Sequence, residues 1–462
     1  MFYKKENGWK SINESKKNDI FKFSEGYKNF LDIGKTEREF ITEGVKLAEK
    51  QGYKNGDKLE SLKAGDKVYY INRGKNLVLA VIGREPITKG INYVVSHVDS
   101  PRLDLKQNPL HEDLELSYMK THYYGGIKKY QWAALPLAMH GVVICGDGRK
   151  VDIVIGEKEE DPVFTIPDLL PHLWGKSQAE RKAGEVLTGE ELQIIVGTIP
   201  TIIEDKEIKN LVKYTVLKEL NDRYGIIEED FISAELQLVP TGRAKDVGLD
   251  RSLVGAYGQD DRICGYTSMK AIFDLEEIPA KTAVCFLADK EETGSNGSTG
   301  LQSQYLEYFT SDMISKCLGE YNELFLRKTL WNSKSLSSDV NAAVDPIFRN
   351  VHEMQNAAQL NYGIVVTKYT GARGKSGTND ADAEYVAEIR NMLNNAGIKW
   401  QTGMLGKIDE GGGGTVASFL AQKGILTIDA GPALLSMHAP FELASKLDIY
   451  ETYRTYLAFY KL

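Results

Sequence analysis

Cysteine is scarce: the 462 residues hold four, Cys145, Cys264, Cys285 and Cys317. They stand singly, mostly within apolar or helical stretches, which excludes a disulfide framework and suits reduced thiols in a cytoplasmic protein. Long apolar runs are missing too. The richest, Trp132 to Cys145, is broken by Pro136 and His140, so no segment reads as a membrane span. The opening Met1-Phe-Tyr-Lys-Lys-Glu-Asn-Gly is charged with no apolar core behind it, which argues against a secretory leader. Positive charge is in deficit, with 57 Lys and Arg against 65 Asp and Glu and a net charge of -8. With no dense basic stripe, a nucleic-acid partner is not expected. There is no internal repeat, low-complexity tract or disordered linker.

Carboxylates, by contrast, stand where chemistry wants them. Glu291 and Glu292, in Phe286-Leu-Ala-Asp-Lys-Glu-Glu-Thr-Gly-Ser295, follow the apolar strand-like Ala283-Val-Cys-Phe-Leu-Ala288. Open α/β sheets place ligands just past the carboxyl ends of such strands. Three other segments repeat the arrangement. Tyr93-Val-Val-Ser-His-Val-Asp-Ser-Pro101 delivers His97 and Asp99, which face the same way on an extended chain, so Asp99 can orient the imidazole. Asp260 and Asp261 precede a helix expected over Ile263 to Phe273, and Ile425-Leu-Thr-Ile-Asp429 is a strand followed by a loop holding His438. Asp339, in Ser337-Ser-Asp-Val340, adds another carboxylate.

Hydrolysis by two metal ions suits this set, because zinc accepts imidazole nitrogen and carboxylate oxygen. Asp260, Asp339 and Glu292 carry three negative charges and a bridging hydroxide a fourth, which neutralises two divalent cations. Glu291 is then left over as the proton carrier, with its neighbour and the metals acting on its pKa in opposite senses. Of the seven histidines, only His97 and His438 have this kind of neighbourhood; His111, His122 and His140 read as ordinary. Asp261 reads first as a cap for the following helix. Gly371-Ala-Arg-Gly-Lys-Ser376 imitates a phosphate loop, but Tyr369 occupies the position that requires the first glycine. Gly411 to Gly414 reads as a flexible substrate-side loop.

These residues resemble the aminopeptidase I and aspartyl aminopeptidase family of zinc exopeptidases over nearly the whole chain. The resemblance rests on His97-Val-Asp-Ser-Pro-Arg102, Asp260-Asp261, Asp289-Lys-Glu-Glu-Thr-Gly-Ser295, Ser338-Asp339 and Ser436-Met-His438, all in the family's order. It implies two zinc ions per subunit, cobalt or manganese being alternatives, with His97 and Asp339 on one, Glu292 and His438 on the other, and Asp260 between them. It implies Glu291 as general base, passing a proton from the attacking water to the departing amine, and Asp99 as the orienting acid. Peptides are the implied substrates, cleaved at the amino end. Ile166-Pro-Asp-Leu-Leu-Pro-His-Leu173 resembles a segment that reaches into a neighbouring subunit's active site, so His172 is a substrate-side candidate with a structural role as its competitor. Lys368 resembles a substrate-side lysine, against a solvated surface lysine. His352 resembles a histidine better explained by stability. Homo-oligomers, commonly tetrahedral dodecamers, are the family's form.

The candidate ligands leave a gap between His97 and Val254, which suggests an insertion. The expected architecture is α/β: a mixed-sheet zinc exopeptidase domain flanked by helices over residues 1–104 and 240–462, with a β-rich insert over 105–239. Val142-Val-Ile144, Val151-Asp-Ile-Val-Ile155 and Leu192-Gln-Ile-Ile-Val196 are its strand-like pieces. The resemblance makes this insert a dimerisation domain, with Tyr124-Gly-Gly126, Trp132 and Gly141-Val-Val143 as landmarks. A closing helix is expected from Phe441 to Phe459, on the helical spacing of Leu443, Leu447, Tyr450, Tyr453 and Leu457. Two alternatives accompany the aminopeptidase reading: a dinuclear zinc deacylase or carboxypeptidase on the same fold, and a non-catalytic scaffold.

Overall fold

Segments apolar at every position suit strands covered on both faces. In the computed structural model, which describes residues 5–203, 207–371 and 373–462, two largely apolar segments, interrupted by Asn92, Ser96 and His97 in the first and by Thr282 in the second, become the adjacent strands Ile91–His97 and Thr282–Ala288, buried throughout. Residues 1–4 and Ala372, on which the leader and phosphate-loop readings partly fall, lie outside the described residues. Among the described residues these strands belong to a nine-stranded mixed sheet. Its centre runs Thr282–Ala288, Ile91–His97, Lys334–Ser337, Leu426–Gly431, each parallel to its neighbour. Four consecutive carboxyl ends therefore meet along one edge. Asn76–Val81 and Ile364–Thr367 flank this centre in the opposite direction.

Alternation along the central strands sends their side chains into two buried clusters, one on each face of the sheet. Ala283, Cys285 and Leu287 face one side, packed with Tyr27 and Phe30 of helix Glu14–Ile33 and with Tyr456 and Phe459 of helix Lys446–Tyr460. Val284, Phe286 and Ala288 face the other, against Phe309 and Met313 of helix Tyr305–Leu318 and Leu326 and Leu330 of helix Glu323–Trp331. Each fully buried Val, Leu, Phe or Met among them contributes roughly 1.5–3 kcal/mol. The closing helix starts later than its periodicity predicts. Glu442–Ser445 is drawn into a strand against Leu253–Ala256, and the Ser445 side chain caps the helix that follows by accepting from the Asp448 amide.

The chain divides into two compact units. One runs through Ser100 and resumes over Ala244–Met437 and Phe441–Leu462; the other comprises Pro101–Arg243 and His438–Pro440. The second unit holds a six-stranded sheet in the order Lys150–Ile155, Leu137–Ile144, Ala234–Pro240, Arg102–Asp113, Leu116–Tyr124, Gln193–Gly197, antiparallel throughout. Its helix Leu211–Tyr224 stops at Gly225, whose φ of 68° only glycine adopts freely. Among the described residues no helix is long and apolar enough to cross a membrane.

Candidate metal centre

Strand register assembles the centre. His97 is paired with Ala288, so Asp289 to Glu292 leave the adjacent strand beside it. Ser337 is paired with Val95, which brings Asp339 out two residues later at the same end. Asp260 comes from the start of helix Gln259–Phe273, across a cis Asp260–Asp261 peptide. Around His97 Nε2 stand Asp260 Oδ1 at 3.3 Å, Asp339 Oδ1 at 3.7 Å and Glu291 Oε2 at 3.9 Å. Two ligand atoms about 2.0 Å from one zinc in a tetrahedron lie roughly 3.3 Å apart, which matches the His97–Asp260 spacing. Ligand atoms of His97, Asp260 and Glu292 all lie within 4.8 Å of one another, as do those of His97, Asp261 and Asp339.

Electrostatics favours cations here. Burial, reinforced by Asp339, Asp260 and Asp99 and opposed by His97, pushes Glu291 up to about 8. Burial also raises Asp339, with His97 pulling the other way, and raises Asp261 well above the carboxylate range with help from Asp339 and Asp260. Burial alone would lower the His97 pKa, but Asp260, Asp339 and Asp99 outweigh it and hold it well above the usual range. Several acids crowded into a low dielectric need counter-charge, and divalent ions supply it most compactly. Neither carboxylate oxygen of the fully buried Asp261 has a hydrogen-bond partner. With imidazole and carboxylate donors converging, the residues present fit zinc.

Other groups hold the ligands in place. His97 Nδ1 lies 3.0 Å from the Asp99 carbonyl and 3.4 Å from its Oδ1. The Asp99 carboxylate also accepts the Glu291 and Glu292 amides, each at 3.2 Å, tying their turn to the His97 strand. Asp261 does not cap its helix, contrary to the sequence expectation, because it points into the buried interior. The cap is Glu442, whose Oε2 accepts the Gln259 amide at 2.5 Å and the Asp260 amide at 3.1 Å. Buried Arg262 donates to the Gly258 carbonyl at 2.7 Å and also to the carbonyls of Gly34 and Tyr257, fixing the turn before Asp260. Sequence reasoning missed both residues. Glu442 lies 182 positions from Asp260 and carries no local signal; an arginine within an apolar helical stretch was the one readable hint.

His438 belongs to the second unit, where its Nδ1 lies 2.8 Å from the Gly126 carbonyl. His172 is exposed in that unit, among the exposed Leu169, Leu170, Leu173 and Trp174. Lys368 pairs with Asp380 at 2.7 Å and lines a cavity of about 310 Å³ with Tyr369, Arg390, Trp400 and Met404. His111 meets Gln193 at 2.7 Å and His140 meets Glu157 at 3.0 Å, which are the structural roles expected of them.

Comparison with known proteins agrees with this chemistry. The family model described as aminopeptidase I zinc metalloprotease (M18) matches residues 30–460. A probable M18 family aminopeptidase 1 of Borreliella afzelii is 56% identical over 459 residues, covering 99% of this chain and all of the relative. The crystal structure of an M18 aminopeptidase from Thermotoga maritima superposes with a TM-score of 0.95 at 44% identity, covering both chains fully. The mApe1 dodecamer of S. cerevisiae, at 22% identity and a TM-score of 0.75 over 95% of this chain and 96% of that one, shares the fold. The deacylase and scaffold alternatives gain nothing from these matches. Ligand chemistry, architecture and full-length similarity converge: the chain belongs to the aminopeptidase I zinc metalloprotease family, M18, and is a zinc aminopeptidase.

Proposed function

We propose that this aminopeptidase works with two zinc ions per subunit, His97 and Asp339 holding one, Glu292 and His438 the other, and Asp260 bridging them. Cobalt or manganese would satisfy the same donors. The observation that carries this reading is the ring of carboxylates around His97 Nε2, with Asp260 at a zinc-ligand spacing. Bound there, the ions supply Lewis acidity toward the peptide carbonyl and water.

The protein's own groups do the rest. Glu291 reaches into the cluster without being needed to balance its charge, so it is free to accept a proton from the attacking water and return it to the departing amine. Burial and its acidic neighbours push its pKa up, and cations pull it down, which moves it toward a working base. Asp99 orients His97 and holds the Glu291–Glu292 turn. Peptides with a free amino end are the substrates. Lys368 and His172 enter as substrate-side residues; Lys368 shares Asp380 with Lys375, so its charge is already partly matched.

The second unit acts as the dimerisation domain of a homo-oligomer in the cytoplasm; we take the assembly to be a tetrahedral dodecamer, and the yeast protein of the same fold is a dodecamer. Its exposed Leu169, Leu170, Leu173 and Trp174 support this role. The experiment compares leucine or aspartate anilide with its N-acetylated form, alongside metal analysis of the wild type and Glu291→Gln. Hydrolysis of the free amine alone, two zinc ions per subunit and an inert variant that keeps its metal are expected. One zinc per subunit, or an active Glu291→Gln, would overturn the reading.

A further inference from the structure

Gly411-Gly-Gly-Gly414 is a stretch with no side chains to hold it. Glycine loses more backbone freedom on ordering than any other residue, so four in a row keep a shape only when both ends are anchored. Both anchors are present. At the leading end the Gly411 amide donates to the Lys407 carbonyl at 3.0 Å, and the Gly413 carbonyl accepts the Gly371 amide at 2.7 Å. At the trailing end the Thr415 hydroxyl donates to Asp429 Oδ1 at 2.6 Å, while Val416 and Leu420 enter the apolar core. The amides of Gly412, Gly413 and Gly414 donate to no acceptor among the described residues.

The anchor is rigid and points to the same face of the sheet as His97. Asp429 is 4% exposed, within strand Leu426–Gly431. It is paired with Ser337, and Ser337 with Val95. Directly paired residues point to the same face, and His97, two residues beyond Val95, points there too. Gly431, two residues beyond Asp429, packs so closely on the Asp339 carbonyl that a Cβ would collide with it. The bond from Asp429 to Thr415 thus ties the glycine run to the strand that supports Asp339.

We infer that Asp429 is a positioning residue: through Thr415 it holds Gly411 to Gly414 so that their uncommitted amides pair with main-chain carbonyls of the peptide substrate. This rests on the aminopeptidase reading and adds how the peptide beyond the cleaved bond is held. Bare glycine lets another backbone approach closely, and amide-to-carbonyl pairing does not depend on side-chain identity.

The test uses the zinc-loaded full chain carrying Thr415→Val, which removes the hydroxyl and keeps the shape, with Thr415→Ser as the rescue. A leucine-led tetrapeptide should show KM raised roughly tenfold at nearly unchanged kcat. Leucine anilide, which lacks the further carbonyls, should change by less than about twofold. Hydrogen exchange over Gly411 to Thr415 should quicken, zinc content should hold, and Thr415→Ser should restore both readouts. Asp429→Asn, which accepts a weaker hydrogen bond, should move them in the same direction by less, and covers the case of Thr415→Val failing to fold. Wild-type KM and exchange in these variants, or equal KM rises on both substrates, would overturn the inference. A wild type inert on both substrates would overturn the aminopeptidase reading and this inference with it.

Discussion

The two units bury their strands in opposite ways. In the first, Ile91–His97 and Thr282–Ala288 are buried at every position. In the second, Lys150–Ile155 and Leu116–Tyr124 alternate between covered and open faces. A strand covered on both sides favours apolar residues along its length, with an acid such as Asp429 kept there only by hydrogen bonding, so most of its chemistry falls at its end. Parallel neighbours send those ends to one edge, and Asp99, Asp289, Glu291, Glu292 and Asp339 follow them there. Antiparallel neighbours scatter their ends, and among the described residues the second unit holds no group of three metal-ligating side chains. It does carry apolar surface, with Val154, Leu170, Trp174 and Ile199 each more than 40% exposed, as the first unit does at Trp331, Ile347 and Phe348. Both units therefore expose apolar side chains, and what sets the first apart among the described residues is its cluster of metal-ligating groups at one sheet edge.

The largest expected effect lies at the charged edge. Glu291→Gln should lower kcat by about 10³-fold, within the range removed with a general base, while zinc content measured by mass spectrometry stays at the wild-type level. A drop of that size from a surface substitution in the second unit would break the contrast. Next comes Gly431→Ala. Its Cβ would press on the Asp339 carbonyl and on Cys264 Sγ, displacing a ligand from behind, and zinc affinity should fall roughly 10- to 100-fold. Titration against a chelating dye measures this, and excess zinc should restore much of the activity. Unchanged affinity would mean that the strand does not set the ligand's position.

Much of this edge was legible in the sequence, and the reason is physical. Runs such as Val94-Val95 and Val284-Cys-Phe-Leu287 state their own burial, and an acid just past such a run has few places to be except a strand end. His97, Glu291, Glu292 and Asp339 announce themselves that way. Glu442 does not: its work is to cap the Asp260 turn from a strand far along the chain. Helical spacing even put its neighbour Leu443 in the wrong element, because pairing with Gly255 holds Leu443 extended. Asp261 was misread for a related reason. An acid at a helix start is usually a cap, and only the packed structure shows this one buried with no hydrogen-bond partner. Local pattern reveals what a residue can do alone; what it does for a distant partner needs the fold.

Glu442→Gln sharpens that point with a smaller effect. The amide keeps the shape but loses the charge that receives two backbone amides, so stability should fall by about 1–3 kcal/mol, read as a lower melting temperature. Zinc should recover part of the loss, since binding to the folded state alone stabilises it. No change in melting temperature would show that the Asp260 turn stands without its cap.

The smallest expected change in stability comes from the second unit. Leu170→Ser with Trp174→Ser removes two side chains that are 48% and 43% exposed, so each should alter folding stability by less than about 0.5 kcal/mol. If this surface joins copies of the chain, the same pair of substitutions should lower the sedimenting mass, because a subunit interface draws most of its binding from a few buried aromatic and aliphatic anchors. Stability and assembly would then separate, and cleavage of leucine anilide by the smaller species would show how far the charged edge works alone. A double variant that unfolds, at unchanged mass for whatever remains folded, would instead make these side chains part of the second unit's own core and erase the contrast between the two units.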